Sequence, residues 1–143
     1  ARGRWEVRDL VRDGAPPGRW RIVLCRNVAI YLAPPAKRAL HLTLAGALLV
    51  APADPDKFDI AHGLLAGPLP CPSTLVASTS DPWLKFVKAG ALAAEWGSRL
   101  VSAGRAGHVN ADSGHGSWPA GLGLLRDLAE RTVAADMRSG SEL

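Results

Sequence analysis

The 143-residue chain reads as an α/β protein, a three-layer arrangement in which a mostly parallel sheet of about five strands is flanked by helices. Three observations predict it. A strand, a helix and a second strand follow one another between Ser73 and Ala103, and that order implies a right-handed crossover in a parallel sheet. A strand, turn, strand, helix succession occupies the front of the chain. The composition, 48% apolar and 21% charged, is that of a globular domain, and a chain of this length buries roughly two-thirds of its unfolded surface.

Taken in order, residues 4–11 alternate polar and apolar around Trp5, Val7 and Leu10, as a half-exposed strand does. Asp13, Gly14, Pro16, Pro17 and Gly18 make a turn-rich connection to a more continuously apolar strand from Trp20 to Cys25. Pro34 and Pro35 can open a helix at its first turn, and Ala39, Leu40, Leu42 and Leu44 supply its apolar positions. Ser73 to Ser78 is short, apolar and rich in β-branched residues, and Ser80, Asp81 and Pro82 close it, so it predicts a buried strand running into a loop. Trp83 to Trp96 predicts a helix with Leu84, Val87, Ala91 and Ala94 apolar and Lys85, Lys88 and Glu95 elsewhere around it, capped by Gly97. Arg99 to Ala103 is the next strand, and Gly104 and Gly107 frame a loop carrying His108. A closing amphipathic helix is expected over Pro119 to Val133, with Leu122, Leu125, Leu128 and Ala129 on one stripe and Arg126, Asp127, Glu130 and Arg131 opposite. Residues 134–143 form a polar tail.

Two of these loops matter chemically. In a parallel sheet, sites gather outside the carboxyl ends of the strands, so the loops bearing Asp81 and His108 face one crevice. A carboxylate in one loop can hold an imidazole from the next in the tautomer and orientation that a general base needs. Asp81 before His108 also obeys the chain order nucleophile, acid, histidine of one large class of hydrolases. Ser78, Ser80 and Ser113 are the nearest hydroxyls, and none lies on a glycine-flanked strand-to-helix elbow. His108, Asp112 and His115 invite comparison with a metal cluster, but their glycine-rich setting does not favour one, and no metal is expected. Trp83, Trp96 and Trp118 are expected as core and pocket-lining aromatics.

The back of the chain resembles a known family. AGALLVAPADPD at 45–56, PLPCPSTLVASTSDPW at 68–83, ALAAEWGSRLV at 91–101 and AGHVNADSGHGSWPAG at 106–121 resemble the C-terminal half of small serine hydrolases of the YdeN and retinoblastoma-binding-protein type, a compact branch of the α/β-hydrolase fold. The resemblance implies a partial α/β-hydrolase fold over residues 45–133, with Asp81 as triad acid and His108 as triad base. It implies an ester or related acyl substrate and no cofactor. The family's nucleophile is a serine in a GHSLG elbow upstream of the GALLVAP strand, and no GxSxG occurs among the 143 residues.

The front resembles something else. VRDLVRDGAPPGRWRIVLCRNVAIYL followed by PPAKRALHLTLAGAL resembles the late part of a CheR-type protein-glutamate methyltransferase. That resemblance implies S-adenosylmethionine as cofactor, with contacts from Asp9, Leu10, Arg26 and Asn27. The glycine-rich first strand and helix of that family have no counterpart here, and the pattern ends after Leu44. Residues 1–44 therefore read as a methyltransferase-like remnant joined near Thr43 to Gly46 to the hydrolase-like half.

Charge separates the same two parts. Of the basic residues, nine fall in 1–43 against three acidic ones, while the remainder holds eight basic and ten acidic. The front arginines are interleaved with strand-like apolar residues rather than forming a run, and no nucleic-acid motif surrounds them, so nucleic acid is not an expected partner. No apolar run approaches the roughly 20 residues of a membrane span and no signal-peptide pattern opens the chain, so the expectation is a cytoplasmic protein. Cys25 and Cys71 lack metal-ligand spacing and read as two buried thiols. Three functions follow as alternatives: a serine hydrolase with an incomplete triad, a fragment of a methyltransferase, and a non-catalytic fusion product.

Overall fold

The computed structural model describes residues 45–57 and 67–139. Within them lie three strands, β1 (Ala47–Val50), β2 (Ser73–Ala77) and β3 (Arg99–Ser102), and two helices, α1 (Phe86–Glu95) and α2 (Pro119–Ser139). A short 3₁₀ turn over Ala111–Ser113 interrupts the stretch between β3 and α2. The strands are all parallel in the order β1-β2-β3, with Leu75 opposite Leu49 on one side and Leu100 on the other. This is the parallel sheet with flanking helices that the β-α-β order predicts. The strands expected over 4–11 and 20–25 and the helix expected over 36–45 lie outside the described residues, apart from Ala45.

β2 is central, and every residue in it is buried. Successive side chains point to opposite faces, and each face has its own helix. Leu75 and Ala77 join Leu84 and the Ala89, Leu92, Ala93 and Trp96 face of α1 in one core, with Leu49 packed against it. On the other face Arg131 of α2 hydrogen-bonds the Thr74 hydroxyl and lies 3.5 Å from the Ser73 carbonyl. Burying residues such as Leu75 and Val76 is worth about 1.5–3 kcal/mol each. The two buried polar side chains of the strand are satisfied, Thr74 by Arg131 and Ser73 by the Ser98 hydroxyl at 2.7 Å.

α2 sits close to the start of β1. A Cβ at Gly46 would stand 2.5 Å from Cγ2 of the buried Thr132 and 3.4 Å from Leu128, so the absent side chain is what lets the helix approach. The helix runs to Ser139, past Val133 and into the expected polar tail. Its inward stripe also differs from expectation. Leu128 and Thr132 are buried while Leu122 is half exposed, and Arg131, expected to point to solvent, reaches back to β2.

The same correction applies to α1. Val87, Ala91 and Ala94 were expected on the packed face, yet Val87 is 86% exposed, and Ala89, Leu92, Ala93 and Trp96 point inward. The helix begins at Phe86 rather than Trp83. Asp81 accepts the Trp83 N–H at 2.8 Å, closing a side-chain turn, and Lys85 is extended, so the chain swings Leu84 into the core before the first helical turn forms. Gly97, with φ 62°, follows the final turn as the cap expected there.

Candidate acid–histidine site

Parallel strands end on one edge of the sheet, and the segments after β1, β2 and β3 gather there. The ladder continues briefly past the strands: the Ala51 N–H donates to the Val76 carbonyl, Ala103 N–H to Ala77, and Thr79 N–H to Gly104. The loops leaving β2 and β3 are therefore still hydrogen-bonded to each other as they leave that edge of the sheet. Asp81 is four residues past the end of β2, and His108 six past the end of β3.

Asp81 and His108 meet there. Nδ1 of His108 lies 3.2 Å from Oδ1 and 3.1 Å from Oδ2 of Asp81. The Asp81 side chain is 2% exposed and that of His108 19% exposed. An ionised carboxylate only accepts, so a hydrogen bond between them requires the proton on Nδ1, and in the neutral tautomer that leaves Nε2 with its lone pair. The Trp83 ring stands edge-on to the imidazole with centroids 6.5 Å apart. Trp83, expected in a core or pocket wall, is half exposed beside the histidine, whereas Trp96 is buried under α1.

The loop around His108 is tightly specified. Gly107 has φ 57°, and a Cβ there would lie 2.5 Å from the Ser113 hydroxyl oxygen, so both backbone and space require glycine. Val109 has φ 50°, an unusual conformation for a β-branched residue. Its N–H donates to the Ala106 carbonyl at 3.2 Å, which closes the turn. The Ser113 hydroxyl accepts the His108 N–H at 2.9 Å and donates to Oδ1 of Asn110 at 2.7 Å, while Asn110 caps the 3₁₀ turn by accepting the Ser113 N–H. Ser113 thus supports the histidine's backbone.

The hydroxyls of Ser78 and Ser80, near the site in sequence, are also engaged with backbone. Ser78 is fully buried and donates to the Gly104 carbonyl at 3.1 Å, and Ser80 accepts the Gly107 N–H at 3.1 Å. Sequence reasoning assigned these serines no structural role. The available signal was the density of hydroxyls at a strand end, where side chains can take over backbone groups that the ladder no longer pairs.

A second polar group lies beyond β1. Lys88 of α1 reaches Oδ1 of the buried Asp54 and Oδ2 of Asp56, each at 2.5 Å. Burial alone raises the Asp54 carboxyl, but the hydrogen bonds from Lys88 and the Asp56 N–H, with the charges of Lys88 and Lys57, outweigh it and hold the group below the usual carboxylate range. The same bonds from Asp54 and Asp56 raise Lys88. Lys57 donates to the carbonyls of Pro82 and Trp83 at 3.2 and 3.3 Å, linking the post-β1 segment to the Asp81 loop. Cys71 is a free, half-buried thiol that burial pushes up, and Cys25 lies outside the described residues.

Among the described residues no three His, Cys, Asp or Glu side chains stand together as metal ligands would, so His108, Asp112 and His115 do not cluster. Asp9, Leu10, Arg26 and Asn27, the residues of the S-adenosylmethionine expectation, lie outside the described residues. Among the described residues no helix is long and apolar enough to cross a membrane.

Comparison with known proteins agrees with the fold. A family model described as serine hydrolase matches residues 22–127. That range takes in all three strands, α1, Asp81 and His108, and extends upstream of Ala45 into the segment that carries the methyltransferase resemblance. Among solved structures, a YdeN-like hydrolase from Pectobacterium atrosepticum is similar at 38% identity with a TM-score of 0.59, over 71% of this chain and 55% of that one. This chain therefore spans about half the length of the structure it matches. No curated protein matches it. With a family match over most of its length and a parallel sheet of the corresponding kind, the chain belongs to the serine hydrolase family.

Proposed function

We propose that this chain carries the acid and histidine of a serine-hydrolase site acting on ester or related acyl substrates, with Asp81 orienting His108 as general base. The observation that carries the reading is the contact of Nδ1 with both carboxylate oxygens at 3.1 and 3.2 Å. With Nδ1–H committed to Asp81, Nε2 takes the proton from a serine hydroxyl as its oxygen attacks the acyl carbonyl. The carboxylate stabilises the imidazolium, which returns the proton to the departing alkoxide. Water then repeats the sequence on the acyl-enzyme.

The chain offers no recognisable nucleophile: no GxSxG is present among its 143 residues, and the hydroxyls of Ser78, Ser80 and Ser113 are bonded to backbone groups. A serine elbow supplied by a partner chain would complete the triad, and the chain alone is a weak catalyst. Base catalysis without the nucleophile leaves on the order of 10²–10⁴-fold over the uncatalysed rate, far below an intact triad.

The test uses the purified, folded chain, an activated ester such as p-nitrophenyl acetate, and a fluorophosphonate probe read by intact mass. Slow ester hydrolysis is expected, falling by on the order of 10²-fold in His108→Ala, with no stoichiometric phosphonyl adduct. Equal rates in the wild type, His108→Ala and Asp81→Asn would overturn the site. An adduct on one serine, abolished by His108→Ala, would keep the site and overturn the missing nucleophile.

A further inference from the structure

Two serines that take no part in this chemistry, Ser78 and Ser80, precede Asp81 and hydrogen-bond the loop that carries His108. Ser78 is fully buried. Its hydroxyl donates to the Gly104 carbonyl at 3.1 Å and accepts the N–H groups of Ala106 at 2.9 Å and Ser80 at 3.2 Å. A hydroxyl has one proton and two lone pairs, so these three bonds use its whole capacity. Ser80 lies 3.4 Å away through its own hydroxyl, which accepts the Gly107 N–H at 3.1 Å.

The positions of these bonds in the chain are what matter. Asp81 follows Ser80 directly, and His108 follows Ala106 and Gly107 directly. The two hydroxyls therefore tie the residues just before the acid to the two N–H groups just before the histidine. Each loop could leave its strand at many angles, because past Ala77 and Ser102 only a few ladder bonds remain. The carboxylate and imidazole meet only if both loops hold one relative position.

We infer that Ser78 and Ser80 are positioning residues: their hydroxyls clamp the Asp81 loop to the His108 loop at the separation that brings the carboxylate onto Nδ1. The inference rests on the proposed acid–histidine reading. Ser78, buried and saturated, supplies most of the clamp. Ser80 is exposed, so water can replace part of its contribution.

The test reads the imidazole itself and needs no nucleophile. In ¹⁵N-histidine-labelled full chain at a pH where the rings are neutral, long-range ¹H–¹⁵N spectra give the fraction of His108 with its proton on Nδ1. The wild type is expected to hold mainly the Nδ1–H form, and Asp81→Asn to lose it, since an amide can donate to Nδ1. Ser78→Ala should lower the Nδ1–H fraction at least two-fold while backbone amide spectra remain those of a folded chain, and Ser80→Ala should lower it less and in the same direction. If Ser78→Ala does not fold, Ser80→Ala alone decides. A wild-type fraction that Asp81→Asn leaves unchanged overturns the acid–histidine reading and the clamp with it. A fraction that responds to Asp81→Asn but to neither folded serine variant overturns the clamp alone.

Discussion

Gly107 shows how much of the site depends on one missing side chain. Its φ of 57° suits glycine, and a Cβ would press on Ser113, whose hydroxyl holds the His108 N–H. Alanine at this position therefore meets a backbone penalty and a clash together, and the clash falls on the support of the catalytic candidate. Gly107→Ala is expected to destabilise the chain by about 1–3 kcal/mol in urea unfolding, and to reduce the His108-dependent esterase rate at temperatures where the chain is still folded. An unchanged rate and midpoint would show that the loop relaxes without moving the histidine. The residue candidates Asp81 and His108 were legible because each stands in a short polar or glycine-bounded loop after a strand-like run. Ser78 and Ser80 were not, because a serine at a strand end has the same local appearance whether it faces solvent or another loop.

At the level of elements, α1 separates periodicity from direction. Its sequence is rich in alanine, so small apolar residues occur all round the helix and more than one stripe can be drawn. Leu84, Val87, Ala91 and Ala94 make as good a stripe on paper as Ala89, Leu92, Ala93 and Trp96. The crossover from β2 to β3 decides between them, because it fixes which side of α1 lies on Leu75 and Ala77. Leu92→Ala is expected to cost about 2–4 kcal/mol, and Val87→Ala to stay within about 0.5 kcal/mol of the wild type, in paired denaturant titrations. Similar costs for the two would return the packed face to the Val87 side.

Across the whole molecule, Lys88 connects α1 to the segment after β1 through Asp54 and Asp56. The linkage has a definite sign. Asp54 titrates below its ordinary value of 3.8 in the folded chain, so its ionised form adds stability that is fully present above that value and is lost as pH falls through the lower folded value. Lys88 titrates above its ordinary 10.5, so its contribution is present below that value and is lost as pH rises through the higher folded one. Asp54→Asn should therefore lower the melting temperature at pH 7 by about a few degrees, and the gap from the wild type should close below pH 3.8. A gap of constant size from pH 7 to pH 3 would mean that the carboxylate's charge does not contribute.

The sequence by itself determined the alternation of strands and helices from residue 73 onward, the parallel arrangement this alternation implies, and the two loops bearing Asp81 and His108. These follow from local pattern: β-branched runs closed by turn residues, a helical interval between them, and glycines at the loop ends. Only the tertiary structure decided which face of α1 is buried, that α2 turns Arg131 onto β2 and leaves Leu122 exposed, and that a carboxylate and an imidazole 27 residues apart share a hydrogen bond. The reason is that local propensity acts over a few residues. The meeting of two loops depends on strand register, crossover hand and the backbone hydrogen bonds accepted by Ser78 and Ser80, all of which join distant parts of the chain.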